Sequence, residues 1–311
     1  MPKKKKPSPK QYRRRTCATA NPNEYQISRN DDTLRRMRRR LPASQAIKIN
    51  VQFIHITDGK LGKISETKRC NQMAVLNKAF SAHGITFTYQ EDRVKQIDNA
   101  EWYAMDFGSC AEREAKTQLH ASPERNLNFY TAGLSGGLLG WATFPWDMEG
   151  NRDMDGVVVL DASMPGGSAA PFNMGITAVH EVGHWLGLYH TFQDGCTQNG
   201  DHVDDTPSHR TPNYGKPDDC EPNGACKEGE FAPVHNYMNY CDDEWLTEFT
   251  DKQIIRVKKG VLQYRPDFIV KPKVVKKKKA PKKKKAKKTV RKKKAVRKKR
   301  KATKKRVRKK K

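Results

Sequence analysis

His180-Glu181-Val182-Gly183-His184-Trp185-Leu186-Gly187-Leu188-Tyr189-His190 is the stretch on which the reading turns. On an α-helix, residues four apart lie one above the other on the same face. His180 and His184 can therefore offer two imidazole nitrogens to one zinc ion. Glu181 stands beside them and can reach a water on that metal. Gly187 lets the chain leave the helix through a tight, positive-φ turn, which can bring His190 round as third ligand. Three protein ligands leave the fourth position to water, the pattern of a catalytic rather than a structural zinc site. The added glycine and third histidine, at fixed offsets, separate this from a chance His-Glu-x-x-His on a solvated helix.

Upstream, strand and helix signals alternate. Ile47, Ile49, Val51 and Phe53 interleave with polar residues as in a half-buried strand. Residues 65–82 read as a helix with Ser65 as N-cap. Short strands are expected at 85–89 and 127–130. An edge strand is expected at 138–144, bounded by Pro145, and a buried strand at 157–160. The helix bearing the histidines is expected over 173–188. Turn-rich chain follows from Asp194 to Pro233, and a last helix, capped by Thr250, over 251–262. This is an α/β body with a loop-rich C-terminal part.

Charge divides the chain of 311 residues into blocks. Its 62 Lys and Arg against 34 Asp and Glu leave a net charge of +28. Residues 271–311 hold 28 basic residues and no acidic one; residues 1–40 carry 14 basic and 3 acidic. The body between is acidic and large enough for one core. The expected division is a basic, weakly ordered arm over 1–45, a catalytic domain over 46–268 and a disordered tail over 269–311. No run of apolar residues reaches membrane-spanning length. Met1 to Lys10 has no apolar stretch behind it, so no secretory signal is expected. Cys196, Cys220, Cys226 and Cys241 are dense enough to clamp a loop-rich region, which wants an oxidising compartment.

The zinc stretch and Asn236-Tyr237-Met238-Asn239-Tyr240 together resemble the zinc helix and Met-turn of the metzincin metallopeptidases. More narrowly, three segments resemble the pappalysins: Leu139 to Pro145, Gly200 to Pro207, and Glu248 to Gln253. The resemblance spans roughly residues 45–264. It implies a mixed five-stranded sheet with helices, one zinc in a central cleft, and an antiparallel edge strand that aligns a peptide by strand addition. It implies a peptide-bond hydrolase with Glu181 as general base, Met238 as a packing floor and Tyr240 near the developing oxyanion. It implies bridges Cys196–Cys226 and Cys220–Cys241. Arg15-Thr16-Cys17 resembles a propeptide cysteine whose thiolate takes the open metal position, with Arg35-Arg36-Met37-Arg38-Arg39-Arg40 as the site of removal. Relatives bind calcium near the Gly-Asp-x-Val motif, and Asp201, Asp205 and Thr206 offer oxygens for it.

The tail lies outside the resemblance. Its Lys/Arg composition cannot build a core, and it has no aromatic residue on which a single strand could stack. A polyanion is its expected partner, DNA or RNA foremost, and a nuclear or virion-associated location is expected ahead of an extracellular one. The competing reading is a retired metzincin body serving as a nucleic-acid packaging protein; retention of Glu181 argues for the enzyme. Should about ten tail charges contact duplex DNA, log affinity will fall against log salt with a slope of roughly −9, measured by titration at several salt concentrations. A slope near zero removes the polyanion role.

Overall fold

The computed structural model describes residues 14–37, 42, 45–197 and 199–271; the tail beyond lies outside the described residues, as do Arg38, Arg39 and Arg40. One sheet organises the body. Its strands are β1 (Ile47–Thr57), β2 (Ile85–Tyr89), β3 (Lys95–Asp98), β4 (Leu127–Ala132), β5 (Gly140–Ala142) and β6 (Val157–Leu160). The order is β2-β1-β4-β6-β5, with β3 also paired to β1. All pairs are parallel except β5 with β6, so β5 is the antiparallel edge strand. The five expected strands are present; the sixth, β3, was hidden from hydropathy because Ile97 is its one apolar residue. β1 is long enough to pair with β2 along its first half and β3 along its second.

Helices cover both faces. On one face lie α2 (Glu66–Phe80), capped by Ser65, α5 (Ile176–Trp185) and α6 (Asp251–Tyr264). They bury Val51, Phe53, Leu76, Phe80, Val182 and Val257 against one another and the sheet. The other face carries α3 (Ala100–Tyr103) and α4 (Cys110–Leu119). Sequence periodicity missed α4 because its buried positions include Glu112 and Lys116. These two form a wholly buried pair 2.7 Å apart, and Trp141 of β5 donates to the same carboxylate at 2.6 Å. This ion pair joins the apolar contacts of Ala111, Ala115 and Leu119 in docking the helix beneath the edge strand.

The arm departs from its expected weak order. Asn23 and Gln26 form a reciprocal capping box that starts α1 (Glu24–Arg36), and Ile27 and Leu34 are buried against the body. Two apolar anchors in thirteen residues are too few to read as a stripe.

All ten residues of α5 are buried. It begins at Ile176 behind Gly175 as N-cap, later than the expected Asn173, and its exit bends at Gly187 with φ +101°. From Leu186 to Phe249 no helix or strand is named among the described residues. Cys196–Cys226 closes one loop there. A reciprocal amide pair, Asn236 with Gln253, ties the turn after Val234 to the start of α6 at 2.8 and 3.0 Å.

Behind α5 sits a buried charge pair. Arg265 reaches both oxygens of Asp155 at 2.6 and 3.1 Å and stacks on Trp185, whose indole N–H also donates to Asp155. Removing one member strands the other in a dry interior. Arg265→Ala is expected to cost about 3–5 kcal/mol in denaturant unfolding, and the double change Arg265→Leu with Asp155→Leu to recover most of it. A single-mutant cost below about 1 kcal/mol would refute the assignment.

Candidate active site

The backbone brings three imidazoles to one point. His184 Nε2 lies 3.2 Å from His180 Nε2 and 3.0 Å from His190 Nε2. The far nitrogens fix the tautomers: His180 Nδ1 meets the Tyr237 carbonyl at 2.7 Å, and His184 Nδ1 meets the Leu188 carbonyl at 2.8 Å. A carbonyl accepts only, so each Nδ1 carries the proton and each Nε2 a lone pair. Lone pairs this close repel unless a cation lies between them. Burial lowers the His184 pKa to about 4, and burial with the neighbouring imidazoles holds His180 and His190 well below their usual range. A neutral, desolvated, convergent donor set suits a divalent ion that binds imidazole nitrogen.

Met238 lies fully buried under this point. Gly183 makes room for it, since a Cβ there would stand 2.4 Å from the Met238 sulfur. Thus the glycine inside the helical motif and the methionine 55 positions later form one contact. Phe192 stacks on His190, and Phe144 meets the His184 ring edge-on. The Tyr240 hydroxyl sits 3.2 Å from His190 Nε2, and burial raises its pKa.

The arm lies across the cleft. Cys17 pairs in parallel with Gly140 of β5; Ala18 donates to the Gly140 carbonyl at 3.0 Å, and Leu139 to that of Thr16 at 2.9 Å. This brings Cys17 Sγ among the imidazoles: its sulfur and one nitrogen from each histidine all lie within 4.8 Å of one another. Cys17 Sγ is 3.4 Å from Glu181 Oε2, to which the Thr19 hydroxyl also donates at 3.0 Å. Burial raises the Glu181 pKa to about 7, against the lowering effect of those hydrogen bonds and of Arg15. Burial, then the Glu181 carboxylate, pushes the Cys17 thiol well above its ordinary value.

Two partners here escaped the sequence reading. Thr19 bridges Glu181 and the Ala142 amide, which donates to it at 2.9 Å. Arg15, 1% exposed, meets Asp243 Oδ1 at 2.5 Å and donates to Thr177 Oγ1 and the Cys241 carbonyl. The Met174 amide donates to the other Asp243 oxygen. Nothing local couples Arg15 to a carboxylate 228 positions away; the Arg-x-Cys spacing was the one available signal.

The bridge Cys220–Cys241 is corrected. Cys220 is exposed, Cys241 is buried behind the Met-turn, and both are free thiols. Asp201, Asp205 and Thr206 lie close to the start of α6, with Asp201 Oδ2 buried and without a hydrogen-bond partner. Asp201 accepts from Thr206 and Val203, and both Asp205 oxygens accept from Thr250 and Lys252 at the start of α6.

With this geometry in hand, the comparisons agree. Residues 123–262 match the family model Peptidase_M43, described as pregnancy-associated plasma protein-A. Extracellular metalloprotease 1 of Coccidioides posadasii is 34% identical over 259 residues, covering 81% of this chain and 91% of its own. An extracellular metalloprotease of Pyricularia oryzae is 39% identical over 223 residues, 68% and 75% of the two chains. Among solved structures, a Tannerella forsythia promirolysin mutant superimposes with a TM-score of 0.73 at 23% identity, over 83% of this chain and all of that one. Mature mirolysin with a cleaved peptide gives 0.62 at 25% identity, over 74% and 100%. The chain belongs to the pappalysin family of metzincins and is a zinc metalloendopeptidase.

Zinc restored to chelator-treated protein at a hundred times its dissociation constant is expected to stabilise the fold by about 2.7 kcal/mol in thermal unfolding. His184→Ala at the same zinc concentration should show no such shift. An equal shift in both would place the ion elsewhere.

Proposed function

We propose that the chain is a latent endopeptidase whose arm fills its own cleft, that Glu181 is its general base, and that the cleft takes an arginine beside the scissile bond. One observation carries this reading: Arg15-Thr16-Cys17 lies along the edge strand with its thiol at the imidazole cluster and its guanidinium on a buried carboxylate. His180, His184 and His190 would hold zinc, which lowers the pKa of its bound water and polarises the scissile carbonyl. The Leu139 amide and Gly140 carbonyl, now used by the arm, become free to hold an extended peptide as an added strand. Glu181, released from Thr19 and Cys17, accepts the water proton and returns it to the leaving amine. The Tyr240 hydroxyl donates toward the oxygen that gains charge.

Latency follows from the same contacts. The arm holds Glu181 in hydrogen bonds, covers the edge strand and sets a thiol among the three imidazoles that would hold zinc. Cutting within 35–40 separates the arm from the body's chain and is the first step of release. The Arg15 pocket passes to substrate, because Asp243 without a cation is a buried carboxylate lacking its partner. The disulfide fits an oxidising compartment, which favours an extracellular setting, like that in the relatives' names, over a nuclear or virion one. The polybasic tail then serves as an address to a polyanion.

Glu181→Ala is expected to retain zinc and lower kcat by about 10²–10⁴ on an unfolded protein substrate. Asp243→Asn should lower kcat/KM for arginine-bearing peptides about 30-fold or more and leave alanine counterparts unchanged. Undiminished turnover in the first variant sinks the mechanism; equal losses on both peptides in the second sink the pocket.

A further inference from the structure

The arm has a second attachment, away from the metal point. α1 sets Ile27 against Phe144 and Tyr189, beside Trp146, and all but Trp146 are buried. One turn on, the Asp31 carboxylate meets Arg256 at 2.8 Å and makes a closer contact with His202 Nδ1. Asn30 accepts from the Tyr264 hydroxyl at 3.0 Å, and Leu34 is 5% exposed. The Asp31 side chain is 8% exposed and that of Arg256 9%, so this pair is largely withdrawn from water.

The body side of this recess is fixed without α1. Arg256 donates its Nε to the Gly187 carbonyl at 3.0 Å and lies over the Tyr189 ring at 4.5 Å. Tyr189 packs in turn against Phe144 and Trp146. The recess is thus an aromatic floor with a cation at its rim. It fits a helix bearing an aliphatic residue and, four positions on, a carboxylate, which one helical face presents together.

We propose that this recess is a docking site that holds α1 independently of Cys17, so that a cut after α1 leaves the arm bound as a non-covalent inhibitor. The inference rests on the latency reading above. α1 ends at Arg36, ahead of the basic run at Arg38, Arg39 and Arg40, so cleavage there severs no anchor. A helix held through a buried ion pair and an aromatic pocket stays while the pair stays, because separating it leaves Arg256 without its partner. Activation then requires destruction of α1 itself or a competitor for its recess.

Hydrogen exchange on the full-length, zinc-loaded chain tests this, with Glu181→Ala present throughout to prevent self-digestion. The α1 amides are compared in that background alone, with Cys17→Ser, and with Ile27→Ala plus Asp31→Ala. Amides of α5 and β6 serve as an internal check that the body is intact. Protection of α1 is expected to survive Cys17→Ser unchanged, and exchange to become about 30-fold faster or more in the double variant. Loss of protection on Cys17→Ser, or none in the double variant, would overturn the proposal. The latency reading is judged separately, by peptide cleavage in the Cys17→Ser chain that keeps Glu181. Little cleavage is expected there while α1 stays protected, because the docked arm still covers the edge strand and holds Glu181; full cleavage with α1 protected would keep the thiol lock and overturn the arm's role as a bound inhibitor.

Discussion

Three neutral imidazoles aimed at one point in a dry interior are the constraint from which the rest of the architecture follows. Water is excluded, so protonation is disfavoured, and the Nδ1–H groups of His180 and His184 are spent on backbone carbonyls. One of those carbonyls belongs to Tyr237, next to the methionine that packs under the site. The zinc helix is thereby locked to a turn more than fifty residues downstream. Gly183 is required because the turn comes so close, and Gly187 because the third imidazole must come back over the first two. The amide pair between Asn236 and Gln253 passes the same constraint on to α6.

How much of this could be read from sequence depended on distance along the chain. The helical pair, Glu181 and His190 sit within eleven residues, where 3.6-residue periodicity and one glycine suffice. Strands with continuous apolar runs, such as Val157–Leu160, were equally legible. Hydropathy failed where burial is partly satisfied by charge: α4 docks in part through Glu112 and Lys116, and β3 offers a single apolar residue. The second bridge failed because order in the chain cannot tell a buried thiol from an exposed one. Arg15 with Asp243 was out of reach, since neither residue carries a local mark of the other.

The arm uses the groups a substrate would need. It pairs with the edge strand through backbone atoms, so it gains affinity where side chains matter least. Thr19 illustrates the economy of the arrangement: one hydroxyl donates to the Glu181 carboxylate and accepts from the Ala142 amide. Blocking the base and covering the strand edge are therefore a single act. The Cys17 sulfur, set among the imidazoles, adds to this without being its sole support.

Three buried arginine–carboxylate pairs divide by what each one joins. Arg265 with Asp155 lies wholly within the body, and no processing step separates it. Arg15 with Asp243 and Asp31 with Arg256 both cross from the arm to the body. A pair of the first kind can be fully dry, because its partners never part. A pair of the second kind must leave a charge behind when the arm goes, and that charge is tolerable only where water or a new partner can reach it. Asp243 lies beside the cleft, and Arg256 lies at the rim of a recess. On the latency proposed above, these two charges mark the surfaces that loss of the arm would open, and each would set the sign of what binds there: a cationic side chain at Asp243, an acidic one at Arg256.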